Sequence, residues 1–175
     1  MRPSAYITWF QANEVCRAAG KRLPTSSEWL AAAQGTTDPG VNNGTLAANS
    51  NCNTMAAGPR NTGLGRPGCV SAWGAQDMIG NLSEWTAEWF AGAGAQTTRV
   101  NEGRQAWPDG YNSDSTDNIF GVVNNGGSEA LALPAAALRG GAWVNGVRAG
   151  VFAFNLNVAP TYSYSAAGFR CVVDR

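Results

Sequence analysis

The chain has 175 residues, enough for one domain with a real core, and seven tryptophans within a 10% aromatic content argue against disorder despite 22 glycines. Charged residues make up only 14% and the formal net charge is zero, which argues against a nucleic-acid binder built on a basic stripe. No apolar run is long enough to span a bilayer, and no histidine occurs anywhere. That absence removes the commonest general base, triad partner and transition-metal ligand together.

The four cysteines, Cys16, Cys52, Cys69 and Cys171, show no CxxC spacing, so a zinc site or a thioredoxin-type motif is not indicated. Their even number suits disulfides, and buried free thiols are the alternative reading. No signal-peptide pattern follows Met1. The abrupt start at Ala5-Tyr6-Ile7-Thr8-Trp9 reads as the interior of something longer. We therefore expect residues 1–175 to be a single domain forming the C-terminal part of a larger protein. The expected compartment is the cell surface or exterior, with a cytoplasmic sensor as the alternative.

In chain order, Tyr6 to Trp9 suggests a short strand. Thr8 and Gln11 then form a capping box opening a helix to about Ala19, which Gly20 stops. A second box, Thr25 with Glu28, opens a helix to about Gln34. Residues 35–74 are rich in Gly, Asn, Thr and Pro and read as long ordered loops. Residues 77–90 carry apolar and aromatic residues at mixed spacing, with Trp85 and Trp89 expected in the core, and residues 91–133 are again irregular. Residues 137–173 are β-like, with turns at Gly140-Gly141, Asn145-Gly146 and Ala159-Pro160. The sum is α+β: two N-terminal helices, a small antiparallel sheet and long irregular loops.

Five segments, taken together and in order, resemble the formylglycine-generating (sulfatase-modifying) family. They are Ile7-Thr8-Trp9; residues 16–25 with Glu28-Trp29; residues 77–86; Arg139-Gly140-Gly141-Ala142-Trp143; and Gly168-Phe169-Arg170-Cys171. The resemblance covers nearly the whole chain and implies a C-type-lectin-like fold. It also implies an active-site cysteine pair binding copper between residues 148 and 157, where this chain has no cysteine. A sister branch uses histidine-bound iron, and this chain has no histidine. We therefore expect no copper, no iron and no enzyme, since a redox site without thiolate or imidazole has no ligands for the metal.

The same resemblance implies a disulfide between Cys16 and Cys171, and Cys52 and Cys69 bracket an irregular loop that a second bridge could close. It further implies a structural calcium ion on Asp77, Gly80, Leu82 and Glu84, the middle two through carbonyls; two carboxylates flanking backbone carbonyls suit a hard cation.

Residues 143–168 resemble the variable region of proteins diversified by retroelements, in which template adenines are mutagenised and asparagine codons dominate the changed sites. A scaffold of Arg139-Gly140-Gly141, Asn145-Gly146, residues 149–153, Ala159-Pro160 and Gly168-Phe169-Arg170 alternates with Val144, Val147, Arg148, Asn155, Asn157, Val158, Thr161, Tyr162, Tyr164, Ala166 and Ala167. Every one of the latter is reachable from an asparagine codon by changing adenines alone. Between Val144 and Gly168 there is no Lys, Glu, Gln, Met or Trp, which such codons cannot yield. These positions are the expected ligand contacts, with Tyr162 and Tyr164 as paratope-like anchors. Alternation assigns Phe152 and Leu156 to the core and Asn155 and Asn157 to the binding face, leaving Phe154 open. The expected partner is a macromolecule, a protein by preference, with no nucleic acid and no membrane span. Two rival readings are an oxidoreductase with an altered site and an undiversified carbohydrate-binding or structural lectin-like domain.

Overall fold

The computed structural model describes residues 1–37, 52–63, 67–90, 119–120 and 135–174. Helix α1 spans Trp9–Ala18 and α2 spans Ser26–Ala33. Both capping boxes form: the Thr8 hydroxyl accepts the Gln11 amide while Gln11 takes the Thr8 amide, and Thr25 and Glu28 repeat the exchange. Each box satisfies two donors that a helix start otherwise leaves open. Helix α1 ends where Gly20 turns to φ 68°, its amide and that of Lys21 closing on the carbonyls of Arg17 and Cys16. The short strand expected at Tyr6–Trp9 does not form. Tyr6 takes φ 56°, outside the β region, and the helix begins at Trp9.

Five strands follow: β1 (Ser83–Phe90), β2 (Ile119–Phe120), β3 (Ala135–Arg139), β4 (Phe154–Val158) and β5 (Ala167–Phe169). They make one sheet in the order β2-β4-β3-β1-β5. The β1–β3 and β3–β4 pairs are antiparallel, whereas β1–β5 and β2–β4 are parallel, so the sheet is mixed rather than antiparallel as expected. The irregular stretch 91–133 otherwise falls outside the described residues.

Strand β1 explains most of the interior. One of its faces puts Trp85 into a core with Ala12 and Cys16 of α1, Leu23, Leu138 and Ala167. Its other face is polar yet buried against α2. There Trp29 donates to Glu84, the hydroxyls of Ser26 and Thr86 lie 3.4 Å apart, and the Ser26 amide donates to Glu88. Alternation holds with both faces covered over residues 83–86, before the register shifts between Trp85 and Trp89. Trp29 and Trp85 are fully buried, and truncating either to Ala would cost about 3–5 kcal/mol. Trp89, expected in the core, is 40% exposed; it lies near the end of β1, edge-on to Trp9 and Phe10 at 5.0 and 5.5 Å.

Both disulfides form. Cys16 bonds Cys171 with Cα atoms 5.5 Å apart, and Cys52 bonds Cys69 at 5.0 Å. No thiol is left free. Beside the first bond, Arg22 and Val172 exchange backbone hydrogen bonds, and Arg22 pairs with both Glu28 and Asp174.

Candidate functional site

The segment after β3 is fixed by its glycines and by Asn145. Gly140 and Gly141 take φ 84° and 72°, and a Cβ on them would meet the Met78 carbonyl at 2.4 Å and Ala149 Cα at 2.7 Å, so only glycine fits. The Asn145 side chain accepts the Ala142 amide, shaping the turn that leads into a 3-10 turn at Gly146–Arg148. Gly150 and Gly140 are joined by a backbone bond, as are Gly140 and Ala153. Ala149, Gly150, Pro160 and Gly168 are all buried. The scaffold positions therefore carry the turns and much of the packing.

Those interposed residues divide into two groups. Val144 is 57% and Tyr162 52% exposed, Arg148 and Thr161 are exposed, and Val147, Asn155 and Tyr164 are half-buried. Val144, Arg148, Asn155 and Tyr164, from three separate stretches, wall one shallow depression of about 90 Å³ floored by Leu138 and Ala166. The Tyr162 and Tyr164 rings lie 5.0 Å apart. Burial pushes the Tyr164 hydroxyl pKa up, against a hydrogen bond from Ser83. Arg148 makes no ion pair among the described residues.

Val158, Ala166 and Ala167, expected on the exposed face, are instead buried. Val158 pairs with Ala136 within β4 and joins the Trp85 core, and Ala167 pairs with Ser83 in β5 with no exposed surface. Ala166 gives its carbonyl to the Ser83 amide and reaches the face only as the floor of the depression. Phe152, expected in the core, is 45% exposed, because it sits in the turn closed by Gly150 and Ala153, ahead of the strand whose alternation buries Phe154 and Leu156. Asn157 belongs to β4, with its side chain outside the described set.

Two residues on this surface carried no sequence signal. Met55 is 70% exposed and lies across from Gly146, and Tyr6 is 69% exposed with its amide on the Tyr164 carbonyl. Only an isolated bulky side chain in a Gly/Asn-rich loop, or beside a helix start, marks them in the sequence.

Around Asp77 and Glu84 the structure places a cation of the chain itself. Arg170 donates to both Glu84 oxygens at 2.5 and 2.6 Å and to the Gln76 carbonyl at 3.1 Å. Trp29 adds a bond to Glu84 at 2.7 Å, and Asp77 accepts the Gly63 amide at 2.7 Å. Burial works against the Arg170 charge, but Glu84 outweighs it and holds the guanidinium pKa above its usual value. Both Glu84 oxygens, expected as calcium donors, thus accept from the Arg170 guanidinium, and one of them also from the Trp29 indole. Arg139, buried behind the face and stacked on Phe154 at 3.8 Å, has its pKa pushed down to about 10 by burial, with Glu88 opposing.

Two capped helices, a mixed sheet and a loop-rich surface closed by a bond between the ends define a C-type-lectin-like domain. The chain belongs to the family of the Sulfatase-modifying factor enzyme 1-like domain, which it matches over residues 1–175. It is 30% identical over 167 residues to a tail fiber receptor-binding protein of Bordetella phage BPP-1, covering 95% of this chain and 36% of that one. It is also 30% identical over 103 residues to a formylglycine-generating enzyme of Thermomonospora curvata, covering 51% of this chain and 34% of that one. The solved structure of the Major Tropism Determinant U1 variant aligns with a TM-score of 0.62 at 29% identity, covering 95% of this chain and 37% of that one. The chain thus spans little more than a third of these proteins.

Proposed function

We propose that this chain is a non-catalytic ligand-binding domain, whose segment 143–168 is a retroelement-diversified face on a fixed scaffold. One observation carries the reading: residues from three separate stretches meet at one depression, while the residues between them make the turns and the packing. Side chains at Val144, Val147, Arg148, Asn155, Thr161 and Tyr162 can change there without disturbing the core. By likeness to the receptor-binding relative, the ligand is a macromolecule, a protein, met at an exposed surface. The enzymatic alternative has support from family membership. Against it stand the absence of histidine, the lack of any cysteine between residues 148 and 157, and the engagement of all four cysteines in disulfides. In the same reading Arg170, rather than a calcium ion, balances the carboxylates of Glu84 and Asp77.

The test is a library randomised at Val144, Val147, Arg148, Asn155 and Tyr162, sorted for folding and for binding to a protein panel. Folded members should be plentiful and should differ in what they bind. Folding that collapses at these positions, or turnover of a cysteine peptide with oxygen uptake, would count against the reading. Sequencing beside the gene should reveal a template copy differing only at adenines.

A further inference from the structure

Met55 lies outside the diversified segment, yet the fold clamps it onto the same surface. The Gly146 amide donates to the Thr54 carbonyl at 2.8 Å and the Ala56 amide to the Trp143 carbonyl at 2.9 Å, bracketing Met55 between two backbone bonds. A Cβ placed on Gly146 would lie 3.6 Å from Met55 Cγ and 3.9 Å from its sulfur, so the thioether runs over that glycine, between Val144 and Val147 in the chain. The backbone beneath is rigid: Thr54 is 2% exposed and Cys52 is bonded to Cys69. A 70% exposed methionine thus stands on a fixed support beside the turn that carries the exposed Val144.

From this we infer that Met55 is a fixed contact residue of the binding face, and that the face takes a protein surface presenting an apolar or aromatic side chain beside an acidic group. The inference rests on the reading of 143–168 as that face. The chemistry follows from what lines it. Met55, Val144 and Val147 offer apolar contact, Tyr162 and Tyr164 offer amphipathic rings, and Arg148 is an exposed cation without an ion-pair partner among the described residues. Methionine suits the role because its unbranched, polarizable thioether adapts to differently shaped neighbours, as a residue must when those around it change from copy to copy.

The probe is a set of peptides selected from a random display library on the immobilised full chain, then synthesised. Their affinities are measured for the wild type and for the variants Met55→Ser, Met55→Leu, Tyr162→Ala and Trp73→Ser, the last removing an exposed aromatic from the 71–74 turn. Selected peptides should carry an aromatic or aliphatic residue next to Asp or Glu. Met55→Ser should weaken them about tenfold, as loss of a central apolar contact does, with Met55→Leu and Trp73→Ser close to wild type. Thermal melts should show Met55→Ser folded, given its exposure. Peptides weakened by Tyr162→Ala but indifferent to Met55→Ser would overturn the assignment of Met55 and leave the face itself standing. Peptides indifferent to both would overturn the face as well.

Discussion

Replacing Arg170 by Met keeps an unbranched apolar stem but removes the guanidinium that faces Glu84. The Glu84 side chain is only 10% exposed and keeps one bond, from Trp29, once Arg170 is gone. Removing one partner of a buried ion pair costs about 3–5 kcal/mol, because the other charge stays desolvated. Arg170 itself is 26% exposed, so water reaches the gap and the lower end of that range, about 3 kcal/mol, applies. In a domain of this size each kcal/mol moves the melting temperature by about 2–4 °C, which gives a fall of about 6–12 °C. Calorimetry at neutral pH, in chelator and in millimolar calcium, reads both this loss and the role of the ion. A calcium ion at a hundred times its dissociation constant would add about 2.7 kcal/mol. The wild type should melt at the same temperature in both buffers. A wild-type rise of about 5 °C in calcium, or an Arg170→Met variant as stable as the parent, would refute the assignment of Arg170 as the balancing cation.

Opening the Cys16–Cys171 bond, which closes a separation of 155 residues, should lower stability more than opening Cys52–Cys69, which closes 17. Loop-closure entropy gives about 5 against about 3 kcal/mol, and denaturant melts of the two double-alanine variants should rank in that order. Ala167→Tyr, at a fully buried position of β5, should unfold the domain or drop its melting temperature sharply, whereas Val144→Tyr should leave it nearly unchanged. The Glu28 carboxyl pKa is held down to about 2, chiefly by hydrogen bonds from Arg22. Its contribution should be present above the ordinary carboxylate range, near 4.5, and be lost as the pH falls toward 2; carbon NMR of Glu28 should place its midpoint there.

The parts of this fold that the sequence exposes are those decided within a few residues. Thr8 with Gln11 and Thr25 with Glu28 satisfy helix donors across three positions, so both helix starts are legible. Strand β1 is not, because Glu84, Thr86 and Glu88 look like a solvated face, yet the first two are buried and the third half-buried against partners far along the chain: Trp29, Ser26 and Arg170. The parallel pairing of β5 with β1 escapes notice for the same reason, since it joins residues 83–85 to 167–169. At the site, the alternation that places Phe154 and Leu156 inside fails at Phe152, where a turn precedes the strand. Val158, Ala166 and Ala167 satisfy the codon pattern yet sit in the sheet or directly before it; a rule about nucleotides carries no information about burial.

The arrangement of β3, β5 and the bond to Cys171 also decides how the domain bears load. Segment 143–168 leaves from β3 and ends in β5, and both strands are hydrogen-bonded to β1. Cys171 follows Phe169, the last residue of β5, by two positions and is covalently tied to α1. A force that draws β5 away from β1 soon meets that covalent bond, and β5 cannot peel without working against the tether. On the proposed reading, the side chains of the face can change while that tether stays the same.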